Sequence, residues 1–273
     1  MSSPVKILYI SSEITPFSIE NMISLLGRHL PQAAQEEGYE IRAFMPKFGN
    51  INERRNQLHE VIRLSGMNLV VGDMDRPLTI KVASIPKTRI QVYFIDNEDY
   101  FKRKFVFTDQ EGKFFEDNDE RAILFARGTL ETVKKLRWQP KIVHCNGWIS
   151  HLVPLYLKHD FKNDPIFSGC KVIVTLYNEF LKEKFASSFA KKTLTPNLKP
   201  QQVELLNTPN GTNLAKLAVE YADGVAIGSK DLPKEILEYI AKKKVPNINC
   251  SELTLKNLPT NNAKYLKFYT KFI

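Results

Sequence analysis

The sequence predicts an α/β fold built as a doubly wound parallel sheet. Three observations lead there. Short apolar, β-branched runs alternate with longer segments of helical periodicity along most of the chain. The first run and the segments after it form a β-α-β unit, which calls for a parallel sheet with a right-handed crossover. At 273 residues, 43% of them hydrophobic, the chain is long enough to bury one sizeable core.

Residues 5–10, Val-Lys-Ile-Leu-Tyr-Ile, read as a buried parallel strand. Residues 20–37 read as a helix, with Met22, Ile23, Leu25, Leu26, Leu30, Ala33 and Ala34 at helical spacing. Pro31 is expected to kink or restart it, and Gly38 stands where a C-cap belongs. Glu40–Met45 is the next strand, ended by Pro46. A β-hairpin insertion is expected over residues 58–97. Its strand-like runs are Glu60–Leu64, Asn68–Val71, Leu78–Ser84 and Gln91–Ile95, joined by turn-like Gly72–Asp75 and Pro86–Arg89.

Residues 117–137 are a predicted helix capped by Asp117 or Asn118. Lys141–Cys145, Lys171–Leu176 and Gly224–Ile227 follow as strands. Trp148–Lys158, Asn213–Ala222 and Leu232–Lys243 follow as helices. The alternation is Rossmann-like. Residues 191–212, rich in Pro, Asn and Gly, read as a long polar loop, and no strong periodicity is visible after Pro246. The expected organisation is one domain over 1–245 and a basic C-terminal tail over 246–273.

Composition excludes several classes. No apolar run is long enough to span a bilayer. Met1–Lys6 lacks a charged segment followed by an apolar one, so no signal peptide and a cytoplasmic location are expected. Cys145, Cys170 and Cys250 form no paired spacing, which argues against a disulfide framework or a zinc site. The formal net charge is +9. Residues 241–273 hold seven lysines against Glu252, so +6 of that total sits there.

Ligands of such sheets bind beyond the carboxyl ends of the strands. The segment after the first strand, Ser11 to Ser18, contains no glycine, so a Gly-rich phosphate loop is absent and no cofactor or metal is expected.

The same segments carry a resemblance. Lys6-Ile-Leu-Tyr-Ile-Ser-Ser-Glu-Ile-Thr-Pro-Phe17 resembles the opening of bacterial glycogen synthases and plant starch synthases. Gly38–Arg42, Met45–Gly49, Val92–Asn97, Asp117-Asn118-Asp119-Glu120-Arg121, Ile142–Trp148 and Tyr221–Val225 continue it. The resemblance covers roughly residues 4–240. It implies the N-terminal half of a two-domain (GT-B type) glycosyltransferase that moves glucose from ADP-glucose to an α-glucan in glycogen biosynthesis. It implies Glu13, Phe17, Asp96, Asp117, Asn118, Arg121, His144, Trp148 and Asn178 as substrate-binding candidates.

The sequence departs from the family where the chemistry lies. The family's K-x-G-G-L donor loop is replaced at Ile19, Glu20, Asn21, Met22 and Ile23, so the cation and the glycines are gone. In its V-H-x-H-D-W motif the second histidine and the aspartate are Asn146 and Gly147, and a further histidine is Tyr177. The second domain, which carries most of the donor site, does not follow. A pseudoenzyme without autonomous transfer is therefore expected, with an α-glucan or maltooligosaccharide, or a partner protein, as its ligand. One alternative is an active half completed by a second protein chain. Another is a binder of nucleic acid or an anionic surface through the basic tail. That last reading is disfavoured, because basic, aromatic Phe101–Phe107 is better explained as a cleft-side loop.

Read without the resemblance, each candidate has an ordinary structural role. His144 is a satisfied buried histidine and Cys145 a small hydrophobe. Trp148 divides between core packing and sugar stacking. Glu13 and Asp96 are solvated or capping groups, and Asp117, Asn118 and Arg121 build a helix start.

Overall fold

A computed structural model describes residues 4–252 and 254–273. Met1–Ser3, the start of the segment read for a signal peptide, and Leu253 of the expected tail lie outside the described residues.

The strands are β1 (Lys6–Ser11), β2 (Glu40–Pro46), β3 (His59–Glu60), β4 (Met67–Val71), β5 (Met74–Ser84), β6 (Gln91–Asp96), β7 (Ile142–Asn146), β8 (Lys171–Leu176), β9 (Gly224–Ile227) and β10 (Asn247–Asn249). Their order is β10-β9-β8-β7-β1-β2-β6-β5-β3, with β4 on β5. From β10 to β6 every pairing is parallel. The strands β3, β4 and β5 add antiparallel pairings at one edge. The hairpin insertion is thus present, but Gln91–Asp96 runs parallel to β2. Turning back from β5 gives that strand the direction of the main sheet. The first turn is also tighter than expected: Val71 pairs with Met74, leaving only Gly72 and Asp73 between them. Gly72 has φ +62°, the left-handed region such two-residue turns require. The Glu60–Leu64 run contributes only its first residue to a strand, β3.

The helices are α1 (Met22–Glu36), α2 (Glu98–Phe101), α3 (Asn118–Lys135), α4 (Val153–His159), α5 (Phe189–Thr193), α6 (Gly211–Tyr221), α7 (Lys234–Lys243) and α8 (Leu258–Tyr269). Helix α1 runs unbroken through Pro31. Beyond its C-terminus Gly38 N–H reaches the Gln35 carbonyl and Tyr39 N–H that of Ala34, with Gly38 at φ +90°. The Trp148–Lys158 stretch is a 3-10 turn over Trp148–Ser150 and then α4, which restarts at Pro154.

Two expectations give way. Residues 191–212 are not an open loop. They hold the end of α5 and a 3-10 helix over Pro200–Asn207. Val203 and Leu206, three residues apart, are buried by that geometry. Residues 246–273, expected as a basic tail beyond the domain, pack onto the sheet. They supply β10 and α8, and α8 buries Leu258, Asn261, Asn262, Tyr265, Phe268 and Tyr269, a helical face. Lys264 and Lys267 point to solvent from the opposite face. Part of the basic excess is thus the outer surface of a packed helix, and Lys242–Lys244 belong to the end of α7.

The chain passes from β1 to β2 in one direction and from β6 through β7, β8 and β9 to β10 in the other. Right-handed crossovers therefore put α1 on one face and α3, α4, α6 and α7 on the opposite one. On the α1 face, β7–β9 are covered by α8, which packs against α1. Gly224 in β9 admits it: a Cβ there would stand 2.8 Å from the Phe272 ring and 3.0 Å from that of Phe268.

Candidate functional site

The strand order reverses at β1, so the loops leaving β1 and β7 diverge and open a crevice at the carboxyl edge. Ser11, Ser12 and Glu13 leave β1, Asn146 and Gly147 end β7, and Tyr177, Asn178 and Glu179 follow β8.

Asn146 is fully committed to the fold. Its Nδ2 donates to Ser11 Oγ at 2.9 Å and to the Ile23 carbonyl at 3.0 Å. Its Oδ1 accepts from the Tyr177 hydroxyl at 2.7 Å. Gly147 has φ +89°, and a Cβ there would lie 2.1 Å from Ser12 Oγ. No side chain fits that position as the loops stand.

The N-terminus of α1 is closed by its own residues. Asn21 Oδ1 accepts from Ser24 N–H at 2.8 Å, and Ser24 Oγ accepts from Asn21 N–H at 2.9 Å. Asn21 Nδ2 also donates to Glu13 Oε2 at 2.7 Å. The loop from Ser12 to Asn21 contains Glu20 but no lysine or arginine. Ile19 is exposed, while Met22 and Ile23 turn inward to the core.

The mouth is acidic. Burial raises the Glu13 carboxyl above its ordinary range. Glu179, which the candidates drawn from the sequence omitted, has a buried Oε2 with no hydrogen-bond partner. Burial first, then the neighbouring Glu13 charge, pushes its carboxyl up to about 8 from an ordinary 4.5. Its one signal in the sequence is an acid two residues past the β8 run, at the strand end where ligands gather.

The sign of the resulting pH dependence is fixed. Between about pH 5 and 8 folded Glu179 keeps a proton that the unfolded chain has released. Stability therefore falls across that window as pH rises. The Glu179→Gln variant is expected to match the parent near pH 5 and to melt higher than it near pH 8. Thermal melts at the two pH values check this; an equal shift at both would contradict it.

The remaining candidates take structural places. His144 is fully buried under α8. Its Nδ1 meets the Tyr269 hydroxyl at 2.5 Å and its Nε2 that of Thr175 at 2.7 Å, and burial holds it near pKa 3, uncharged. As folded it is a core group and not a sugar ligand. Trp148 is buried among Phe107, Phe114, Phe180 and Phe185, with no ring face open for stacking on a sugar. Phe17 packs edge-on to Phe94 in the core. Asp96 pairs with Lys81 at 3.1 Å, and Glu53 links that lysine to Lys47; the partner of Asp96 is not Glu13.

Asp117 occupies the N-cap position of α3, but its carboxylate grips Arg103 rather than the helix N–H groups. Asn118 binds the Phe107 carbonyl and accepts from Arg121 Nη1. Arg121 is fully buried among the rings of Phe48, Phe101, Phe107 and Phe115, and burial pulls its guanidinium down to about 9. These three residues clamp the 103–118 loop to α3. Phe101 and Phe107 of the interleaved basic segment are buried as well, so neither offers a face to a nucleic-acid base. Asn178 alone of the substrate-binding candidates is exposed, with Nδ2 on Asp231 at 2.6 Å and its N–H on Ser229 Oγ at 3.0 Å.

A groove of about 510 Å³ lies between Lys113, Phe114 and Glu116 on one side and residues 182–186, which follow the β8 loop in sequence, on the other. No helix among the described residues is long and apolar enough to cross a membrane.

Comparison with known proteins adds to this geometry. Residues 6–247 match the family described as the starch synthase catalytic domain. The glycogen synthase of Chlorobium luteolum is 37% identical over 235 residues, covering 85% of this chain and 47% of that protein. That of Chlorobium limicola is 36% identical over the same shares. The chain thus spans about half the length of the curated relatives it matches. Among solved structures, the catalytic domain of starch synthase IV from Arabidopsis thaliana, bound to ADP and acarbose, aligns with a TM-score of 0.73 at 16% identity. The alignment covers 90% of this chain and 51% of that one. It shows a shared fold, the α/β architecture of that two-domain glycosyltransferase.

Proposed function

This chain belongs to the starch synthase catalytic-domain family, and from that premise we propose that it binds α-glucan at its strand-end face without transferring glucose by itself. One observation carries the reading. The α1 N-terminus, where a helix end would greet a diphosphate, is filled by the Asn21–Ser24 capping box. Glu13, Glu20 and Glu179 stand on the loops around it. An ADP-sugar brings two negative charges to that place and finds neither a lysine or arginine in the loop nor free helix N–H groups to answer them. Asn146 and Gly147 supply neither an imidazole nor a carboxylate to the sugar.

An uncharged glucan needs no such cation. Hydroxyl groups can pair with Asn178, Asp231 and the lysines and glutamates of the groove, over the edges of Phe114 and Phe185. Calorimetric titration tests both halves of the reading. Maltooligosaccharide is expected to bind saturably, and ADP-glucose to give no saturable heat. Saturable ADP-glucose binding would overturn the donor half, and a silent maltooligosaccharide titration the glucan half.

A further inference from the structure

A second cavity, of about 750 Å³, lies between the β4–β5 hairpin and helices α3 and α5. None of the strand-end residues described above lines it. Four cations face it: Arg76, Arg127, Lys191 and Lys192. The carboxylates there are Glu120 and, at the hairpin tip, Asp73.

The cations fall into two pairs. Arg76 and Lys192 are held in place. Arg76 lies over the Tyr100 ring and pairs with Asp99 at 2.8 Å and Glu120 at 3.7 Å. Lys192 pairs with Asp119 at 3.0 Å and Glu120 at 2.7 Å. Glu120 is spent on these partners and on the Tyr100 hydroxyl. Arg127 and Lys191 carry charge that no carboxylate answers among the described residues. Arg127 donates only to the Val70 carbonyl. Arg76 Nε is buried without a partner.

We propose that this cavity binds a phosphorylated small molecule, a phosphate monoester. Its volume is that of a small-molecule site and is too small to enclose a polymer. A phosphate dianion has oxygens enough to take the free side of the Arg127 fork and Lys191 together, with the held charges of Arg76 and Lys192 beside them. Val70, Met74, Leu194 and Pro196 form the apolar wall against which the ester's body would lie. The inference is independent of the glucan reading and uses none of its residues.

Titration calorimetry with inorganic phosphate and with glucose 1-phosphate, glucose serving as the neutral control, tests it. Both phosphates are expected to bind saturably and glucose alone not to bind at this site. Lys191 is exposed and has no ion-pair partner among the described residues, so Lys191→Gln keeps the fold and should weaken binding several-fold. Adding Arg127→Gln should bring the loss to about tenfold or more. Lys264→Gln, on the outer face of α8, should leave phosphate affinity unchanged. Absence of saturable phosphate binding, or unchanged affinity in Lys191→Gln, would overturn the site. A larger loss in Lys264→Gln would overturn its location. A short single-stranded oligonucleotide that competes and binds more tightly than the ester would overturn the ligand class.

Discussion

Replacing Gly147 by aspartate, the residue its relatives' motif would place there, is expected to destabilise the protein by about 3 kcal/mol or more and to restore no sugar site. Two costs combine. The backbone at 147 sits at φ +89°, a region that side-chain-bearing residues rarely adopt. The new Cβ would also approach Ser12 Oγ to 2.1 Å and Ser12 Cβ to 2.9 Å, so the loop after β1 would have to move. That loop is anchored: Ser12 N–H bonds the Asn146 carbonyl at 2.8 Å, and Ser11 Oγ is held by Asn146. Urea unfolding of Gly147→Asp measures the loss. A midpoint equal to the parent's would show that the two loops are not locked together as described.

Truncating Tyr269 to alanine is expected to cost roughly 4 kcal/mol. The side chain is fully buried in α8, and its hydroxyl joins Tyr9 at 2.9 Å and His144 Nδ1. Removing it leaves a cavity over β1 and β7 and strips two buried polar groups of a partner. Tyr269→Phe, which keeps the ring and drops only the hydroxyl, is expected to cost about 1–3 kcal/mol. Chemical unfolding of the two variants separates ring from hydroxyl. A loss under about 1 kcal/mol for the alanine variant would mean that α8 does not seal the sheet.

The contrast between these two positions shows what the residues disclose before folding. The parallel core was legible because β1, β7 and β8 are apolar, β-branched runs flanked by periodic helices, and periods of two and 3.6 survive in sequence. Helix α8 was not, because its inner face uses Asn261, Asn262, Tyr265 and Tyr269. These look polar in isolation; the two tyrosines become core residues only when Tyr9, His144 and Thr175 answer their hydroxyls, and Asn262 Nδ2 reaches the His29 carbonyl across the packed helices. The 3-10 helix over Pro200–Asn207 was masked in the same way, since the Pro200 and Asn207 that bound it read as loop punctuation.

The candidate site was legible in position and not in role. The strand ends were the right place to look, but burial decides what each group can touch. His144, Trp148, Asn118 and Arg121 lie where no ligand reaches them, and sequence alone carries no burial. Glu179 went the other way. Its carboxyl is displaced first by burial and then by Glu13, 166 positions away in the chain and brought near only by the sheet.

The loss of donor-loop chemistry is the central claim, and glucosyl transfer tests it most directly. The purified chain, incubated with ADP-glucose labelled in the glucose and a maltooligosaccharide acceptor, should give no labelled glucan above the protein-free control. Labelled glucan that accumulates with time and in proportion to protein concentration would contradict the account.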